Sequence, residues 1–389
     1  MNDMNAACAA GRRAKMSEAT QFGEVRILHF GDVFFGSPFL SPAPEKSAER
    51  RRLQRETFER AMQTIRDQKV QLALITGNLF DSDDLSDETA GLLLRGFRSC
   101  PACRFVILPG GADPAGKGSF YESGRFPQNV FIFGSDEYRT FSFDDIGVSV
   151  TGRGSGERGE ESAAFPTLTR KNEQEFLILA GYRRETPDNT EIVSVGADYI
   201  ALSGNPDPVR LEIGGSSVGY SGWLESRGYE NEQVGGANLL TVSEEAGARR
   251  LHGKRLELGT VRCLSRTIDV SNMKNDSELI GQITSIVRDN SLGHTAVLRI
   301  ELTGTVHPGF RIPRNAGTSS FGLLVFSLVN LTAPESDPQL LKDMSARGEL
   351  YRLLEPKIRE GSDDAERAAA ARALTIGLAA LEGQEIKDL

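Results

Sequence analysis

Three short apolar runs, each closed by a glycine-containing loop, constrain the fold of this chain more than any other feature. Each run has the length and continuous hydrophobicity of a strand that is buried on both faces. The runs are VRILHF at 25–30, LALIT at 72–76 and RFVILP at 104–109. Apolar residues at helical spacing fill the two intervals, at 46–68 and 86–98. This order predicts parallel βαβ units, whose functional residues stand at the carboxyl ends of the strands.

Short strands follow one another closely in the next part of the chain, with few helices between them. We expect them to form a second sheet that packs on the first. The candidates lie at 130–134, 146–152, 176–181, 198–203, 209–214, 217–221 and 237–242. A polar, glycine-rich stretch at 152–164 predicts a flexible loop. It is not a P-loop, because it lacks the Gly-Lys-Ser/Thr ending.

The composition changes again after the second group of strands. Residues 243–254 are charged and predict a loop-like boundary. Strands at 256–270 and 295–306 then flank a helix at 276–289, which indicates a small α+β module, and the rest of the chain has helical character. The predicted domains are a disordered leader at 1–23, a first domain at 24–247, an α+β domain at 255–330 and a helical region at 335–389.

The overall composition narrows the functional classes. The chain has 389 residues and a formal net charge of −9, which argues against a protein that coats nucleic acid by charge alone. Four irregularly spaced cysteines favour a reducing, cytoplasmic setting. No apolar run approaches the ~20 residues that a membrane helix needs. We therefore expect no membrane partner.

Five loops at predicted strand ends carry a family resemblance. They read GDVFFGSPF (31–39), GNLFDS (77–82), PGGADP (109–114), LILAGYR (177–183) and ADYIALSGNPDP (197–208). In this order they resemble the five motifs of the calcineurin-like metallophosphoesterases, and most closely the SbcD-type DNA-repair exonucleases. The resemblance implies a β-sandwich flanked by helices (αββα), then an α+β capping domain and C-terminal helices. It also implies two Mn ions and metal-dependent hydrolysis of DNA phosphodiesters.

The first three motifs depart from the family pattern. In the Asp-x-His motif Asp32 is present, but Phe34 replaces the histidine. The Gly-Asp motif, whose carboxylate bridges both metals in the family, here carries Asn78. In the Gly-Asn-His-Asp motif the metal-binding Asn falls on Gly111 and the proton-donating His on Ala112, so that Asp113 alone is kept.

The last two motifs depart as well. The histidine of the fourth motif falls on Ala180, and those of the Gly-His-x-His motif fall on Gly204 and Pro206. A two-metal site needs anionic or imidazole ligands to offset the charge of its ions. We therefore expect no metal cofactor and no catalytic residue, and we interpret the chain as a pseudoenzyme.

Several residues also have simpler interpretations. Asp32 is a residual metal ligand, a solvated loop acid or a hydrogen-bond acceptor that holds its turn, and Asp113 before a proline suits a turn. The basic run of Arg50, Arg51, Arg52 and Arg55 is typical of a solvated helix face, with DNA contact as the alternative. Cys100 and Cys103 stand between a helix and a strand, which favours a structural role. Phe34 and Phe35 are expected to fill the volume that absent ions would leave.

Three functions remain open at this stage. In the first, the resemblance implies a non-catalytic subunit that binds an SMC-like coiled-coil ATPase through an apolar face of the C-terminal helices, or binds DNA, as a scaffold or regulator. A homodimer is left open. In the second, the chain is an active metal-dependent exonuclease with a rebuilt site. In the third, it is a DNA-binding module without an ATPase. The apolar face consists of Leu340, Leu341, Leu350, Leu353 and Leu354.

Overall fold

The structure is a computed structural model of the chain. It describes residues 23–39, 44–81, 85–245, 248–306, 321–334, 338–361, 364–381 and 383. The predicted leader at 1–23 lies outside this part of the chain except for Gly23. The chain forms two compact units. The first contains Met1–Ser37, Gln54–Leu224 and Gly236–Leu258, and the second contains Pro38–Leu53, Glu225–Gly235 and Gly259–Leu389.

The first unit contains two six-stranded sheets. The strands of the first sheet, in chain order, are β1 (Val25–Gly31), β2 (Leu72–Thr76), β3 (Arg104–Leu108), β4 (Val130–Ile132), β11 (Gly236–Glu245) and β12 (Ala248–Glu257). Their spatial order is β12-β11-β1-β2-β3-β4, and the four strands from β1 to β4 are parallel. The predicted parallel βαβ units are therefore confirmed.

The second sheet contains the remaining strands of this unit. They are β5 (Arg139–Phe143), β6 (Val148–Gly152), β7 (Phe176–Tyr182), β8 (Tyr199–Ser203), β9 (Val209–Ile213) and β10 (Ser216–Tyr220). Their spatial order is β5-β6-β7-β8-β10-β9. Strands β6, β7, β8 and β10 are parallel, and an antiparallel strand stands at each edge.

Alternation along the strands explains how the two sheets pack. Ile27 and Leu74 on the first sheet share a buried cluster with Ile178 and Tyr199 on the second. Successive side chains of a strand point to opposite faces, so the intervening residues of the first sheet turn toward the helices. Both faces are buried, which is why these strands are continuous apolar runs.

Three helices cover the outer faces of the two sheets. Helices α1 (Pro44–Asp67) and α2 (Asp87–Arg98) supply Phe58 and Phe97 to the core on the first sheet. Helix α3 (Asn189–Val195) covers the second sheet through Ile192. The predicted α/β sandwich flanked by helices is thus confirmed.

The loop predicted at residues 243–254 is wrong for most of its length. Residues 243–254 were expected to form a charged loop, but β11 and β12, each ten residues long, pair in antiparallel fashion and include the described residues of this segment. β12 is an edge strand, and charged residues such as Arg250 and Lys254 are tolerated there because one side of the strand is exposed. The predicted domain limits stay predictions.

The second unit contains a smaller sheet and the C-terminal helices. Strands β13 (Arg262–Asp269), β14 (Ala296–Thr303) and β16 (Val325–Asn330) are parallel, and β15 (Thr305–Val306) pairs with β17 (Ala333–Pro334). Helix α4 (Asp276–Asp289) has the predicted span of 276–289, and it packs Leu279 and Ile283 into the core of this sheet. The remaining helices are α5 (Pro338–Lys342), α6 (Ala346–Glu360) and α7 (Asp364–Leu381).

The basic run of α1 is only partly a solvated face. Arg51 and Arg52 are exposed, but Arg50 is only 6% exposed. Its guanidinium donates to the carbonyl of Ser226 at 2.8 Å and stands 4.3 Å from the centre of the Phe39 ring. The expected solvated position is therefore wrong for Arg50, because backbone carbonyls and an aromatic ring take the place of water.

No helix in the described part of the chain combines the length and apolar composition that a bilayer crossing requires.

Candidate functional site

The loops after β1, β2 and β3 are joined side by side by their backbones. The Asp32 amide donates to the Gly77 carbonyl at 3.0 Å, and the Gly77 amide donates to the Leu108 carbonyl at 2.7 Å. Asp32 and Asn78 both adopt left-handed backbone conformations, with φ of 49° and 47°. Asn and Asp tolerate this region better than most side chains, which suits them to a sharp turn at a strand end.

A buried carboxylate–amide pair forms the centre of the site. The Nδ2 of Asn78 donates to Oδ1 of Asp32 at 2.7 Å, and the backbone amide of Gly204 donates to Oδ2 of Asp32 at 2.7 Å. Asp32 and Asn78 are each only 1% exposed. Both oxygens of Asp32 therefore accept hydrogen bonds from the protein. The pair joins two loops of the first sheet to the loop after β8 in the second.

The orientation of the Asn78 amide is fixed from both ends. Its Oδ1 accepts from the Ala112 backbone amide at 2.8 Å, while its Nδ2 faces Asp32. An amide group has one acceptor and one donor end, so the reverse orientation would place two donors, and two acceptors, against each other. The Asn78 side chain therefore presents a donor to the carboxylate.

Asp113 is a buried acceptor for the surrounding loops. Two backbone amides donate to its Oδ1, those of Gly110 at 2.7 Å and Asn78 at 3.0 Å. Oδ2 accepts from the Leu79 amide at 2.6 Å, from the Tyr121 hydroxyl at 2.7 Å and, more weakly, from the Phe80 amide at 3.4 Å. The sequence predicts that Asp113 closes a local turn, but its carboxylate also accepts hydrogen bonds from residues of the loop after β2.

Burial sets the acid–base behaviour of this carboxylate. It raises the pKa of Asp113 to about 7, although the Tyr121 hydroxyl and the backbone amides pull the pKa down. The pKa of Tyr121 is also raised, by burial and by the adjacent Asp113 carboxylate. Tyr121 therefore stays protonated and acts as a hydrogen-bond donor.

The other predicted site positions are more dispersed. Phe34, half-buried with a φ of 54°, donates its backbone amide to the Asn78 carbonyl at 2.7 Å. Ala180 lies inside β7, in the core between the two sheets. Pro206 is half-buried in the loop after β8. Phe35 was expected to fill the cleft, but its ring packs on Phe58 at 5.3 Å in the helix-side core, so that expectation is wrong.

Gly111 stands against the glycine-rich stretch that follows β6. Its carbonyl accepts from the Gly159 amide at 2.9 Å. A Cβ atom at position 111 would lie 2.9 Å from the Gly159 Cα and 3.0 Å from its nitrogen. This segment was expected to be a flexible loop, but its backbone is hydrogen-bonded to the third loop.

Two neighbouring side chains were missed by the sequence analysis. Tyr182 follows Ala180 on the same face of β7, and a Cβ at Gly77 would lie 2.7 Å from its ring. Burial raises the pKa of Tyr182, while a hydrogen bond from the Asn78 side chain lowers it. Ser203 is fully buried, and its hydroxyl has no hydrogen-bond partner among the described residues. Both residues lie in the fourth and fifth motif loops, and their place at the ends of two strands is the signal that could have indicated them.

His29 is the buried histidine that precedes the first loop. Its two ring nitrogens lie 2.8 Å from the Tyr199 hydroxyl and 2.9 Å from the Thr76 hydroxyl. Burial, assisted by the positive charge of Arg255, lowers the pKa of His29 to about 3. The ring is neutral at physiological pH and links the two sheets inside the core.

Comparison with known families identifies this architecture. The sequence model of the calcineurin-like phosphoesterases matches residues 25–231, which is more than half of the chain. The chain belongs to the calcineurin-like phosphoesterase family. No functionally curated protein matches the sequence.

Solved structures that resemble this calcineurin-like phosphoesterase share little sequence with it. A protein from Thermus thermophilus is 12% identical, with 59% of this chain and 98% of that chain covered and a TM-score of 0.35. A putative 5'-nucleotidase from Staphylococcus aureus is 12% identical, with 61% of this chain and 55% of that chain covered and a TM-score of 0.41. Zinc-bound Vps29 from Entamoeba histolytica is 13% identical, with 59% of this chain and 99% of that chain covered and a TM-score of 0.28. At these values the likenesses do not indicate function.

The donors at this edge do not fit the pair of divalent cations that the family resemblance implies. Within the described ranges, no group of three or more His, Cys, Asp or Glu side chains is placed to hold a metal ion. The carboxylate of Asp32 already accepts two hydrogen bonds, and Asn78 turns an N–H donor rather than a lone pair toward it. A cation at this point would meet the positive end of the Asn78 amide dipole. We therefore derive no reaction step through a metal.

Proposed function

We propose that this calcineurin-like phosphoesterase is catalytically inactive and acts as a non-catalytic subunit. The observation that carries the proposal is the Asp32–Asn78 pair, in which an amide N–H occupies the hydrogen-bonding position beside the carboxylate. Metal-dependent hydrolysis needs a cation to activate water and stabilise the charge on phosphate. Here the charge of Asp32 is stabilised by protein donors instead.

Metal binding and DNA cleavage test the loss of catalysis. We expect the full chain, stripped of metal and titrated with Mn²⁺ in a calorimeter, to show no stoichiometric binding. We also expect no Mn²⁺-dependent cleavage of duplex DNA or of a simple phosphodiester. Stoichiometric Mn²⁺ binding that is lost in an Asp32→Asn variant, together with cleavage, would overturn the proposal in favour of an active exonuclease with a rebuilt site.

The proposal extends to an SbcD-type role beside an SMC-like coiled-coil ATPase. Two of the predicted apolar positions of the C-terminal helices are solvent-exposed, with Leu341 44% and Leu353 63% accessible. Leu350 instead packs within the unit, where a Cβ at Gly377 would lie 2.4 Å from its side chain. An apolar coiled-coil surface could bury the two exposed leucines without disturbing Leu350.

Co-purification with the ATPase tests this partner. We expect the wild-type chain to retain a coiled-coil ATPase through size-exclusion chromatography. Leu341→Glu and Leu353→Glu should each release it, because a carboxylate at a buried interface is unpaired. Val193→Glu is the matched control, since Val193 is 53% exposed in the first unit. Equal retention by all variants would contradict the proposed surface.

DNA binding and self-association are the other parts of the proposal. If the chain itself contacts DNA, duplex DNA should shift in a salt-dependent manner without the ATPase. A shift in the absence of any ATPase association would favour a DNA-binding module. Sedimentation of the isolated chain decides between a monomer and a homodimer. We also propose a cytoplasmic location.

A further inference from the structure

The glycine-rich segment after β6 lies along the third loop and is bonded to it at three points. We call residues 153–160 the bridging segment. The Ser155 amide donates to the Pro109 carbonyl at 2.9 Å, and the Ser155 carbonyl accepts from the Ala115 amide at 2.8 Å. The Gly159 amide donates to the Gly111 carbonyl at 2.9 Å. These contacts are made by backbone groups, as between neighbouring strands.

Side chains hold the bridging segment in a compact form. The carboxylate of Glu160 accepts from the backbone amides of Gly156 at 2.7 Å and Glu157 at 3.1 Å, and it forms an ion pair with Arg153. These donors outweigh the effect of burial, so the pKa of Glu160 lies below its usual value. The segment therefore closes on itself through a charged acceptor.

A second ion pair ties the bridging segment to the second loop. Both terminal nitrogens of Arg158 lie 3.1 Å from Oδ1 of Asp81. Asp81 is 7% exposed and follows β2, in the loop that begins at Gly77. The bridging segment therefore connects the loops after β2 and β3 at the carboxyl ends of the strands. We call this connection the brace.

The steric fit at Gly111 shows what the brace excludes. A Cβ at this position would stand 2.9 Å from the Gly159 Cα and 3.2 Å from its carbonyl carbon. Both atoms belong to backbone, which cannot rotate away as a side chain can. The φ of Gly111 is not in the left-handed region, so packing rather than backbone conformation requires glycine here.

We propose that the bridging segment is a built-in plug, which fills the space over Gly111 with backbone and closes the third-loop side of the sheet edge against ligands. The inference rests on the proposed loss of catalysis and adds a physical barrier to it. Restoring a ligand at Asn78 would leave this side of the cleft closed. The plug also makes any side chain at position 111 incompatible with the closed arrangement.

Hydrogen exchange followed by mass spectrometry tests the plug. We expect amides of residues 153–160 to be protected in the full wild-type chain. Gly111→Ala should increase their exchange by about tenfold, the effect of losing one hydrogen-bonded contact. Amides that donate to Asp113, such as that of Leu79, should be unchanged. Gly134→Ala is the matched control, because a Cβ there meets nothing within 4 Å.

Two outcomes would overturn the plug. One is exchange of the 153–160 amides at unprotected rates in the wild type, and the other is equal exchange in the two glycine variants. If Gly111→Ala does not fold, Glu160→Gln loosens the segment from its other end and should produce the same tenfold increase. Mn²⁺ titration of the same proteins is a separate measurement, since metal uptake by the wild type would refute the proposed function while exchange alone judges the plug.

Discussion

Two buried aspartates stand at the same edge of the first unit, but they are held in different ways. Asp32 accepts hydrogen bonds from an amide side chain and from the Gly204 backbone, and these donors follow strands of different sheets. Asp113 accepts from four backbone amides and one hydroxyl, all supplied by residues that follow β2 and β3. Asp32 thus links the two sheets, whereas Asp113 organises the loops after two neighbouring strands of one sheet.

The difference concerns how many buried donors depend on one carboxylate. A carboxylate that accepts few hydrogen bonds can be replaced at a small cost in stability. A carboxylate that satisfies several buried donors cannot change so easily, because each donor left without an acceptor costs about 1–3 kcal/mol. Asp113 therefore has a structural role as the common acceptor of these loops.

The largest expected effect is on Asp113. Asp113→Asn should lower the free energy of unfolding by about 3–4 kcal/mol, because the new NH₂ group faces donors instead of accepting from them. Chemical denaturation at neutral pH measures the change. The control is Asp188→Asn, an exposed N-cap that accepts from the Glu191 amide at 2.9 Å, where a loss of no more than about 1 kcal/mol is expected. Equal losses in the two variants would remove the distinction between the aspartates.

The next effect sharpens the comparison from the Asp32 side. Asn78→Asp should lower the free energy of unfolding by about 2 kcal/mol, because two buried carboxylates would then face each other. One of them should take up a proton, so the loss should shrink as the pH falls from 7.5 to 5. Asn172→Asp is the control, since Asn172 is exposed and keeps its acceptor role toward the Gln174 amide. A variant as stable as the wild type would show that the pair is not tightly coupled.

The smallest expected effect is the pH dependence of stability that arises from His29, in the strand before Asp32. Burial holds the pKa of His29 at about 3, below the ordinary value of 6.5. As the pH falls, the imidazole therefore takes up a proton in the unfolded chain before it does so in the folded chain. The stability that this group contributes is complete well above pH 6.5 and is lost as the pH falls, by roughly 1–2 kcal/mol between pH 6.5 and pH 5.

His29→Gln should remove this loss, so that the variant gains stability relative to the wild type as the pH falls from 6.5 to 5 in denaturation experiments. His252→Gln should leave it unchanged, because His252 is exposed on the β11–β12 hairpin. Burial also raises the pKa of Asp113 to about 7, so Asp113 contributes stability that increases as the pH falls over the same range, and the test is the difference between the two profiles. Parallel profiles for the wild type and His29→Gln would contradict the buried, neutral state of His29.

The sequence predicts the framework of this protein better than its loops. Continuous apolar runs identified the parallel strands, and helical spacing identified α4 at its observed bounds. Strand β12 was missed because an exposed edge strand with Arg250 and Lys254 has the composition of a loop. The strand Arg139–Phe143 was missed because its burial is slight and its apolar pattern weak.

The candidate site was predicted as a set of positions, but its bonds were not. Sequence order placed Asp32 and Asn78 at neighbouring strand ends, yet the donor role of the Asn78 amide depends on Ala112 and on its orientation. The contact of Gly111 with Gly159 joins residues whose separation no motif fixes. Composition does not indicate long-range backbone contacts. The glycine-rich composition of the bridging segment therefore predicts a flexible loop instead.

The interleaving of the two units has a practical consequence for deletion experiments. A fragment that ends at Leu258 would still carry Leu53 and Tyr229, whose apolar cluster includes Val261 and Val297. Such a fragment would expose part of a core rather than a clean surface, and aggregation could be mistaken for lost binding. Partner mapping in this chain therefore requires single substitutions in the full-length protein.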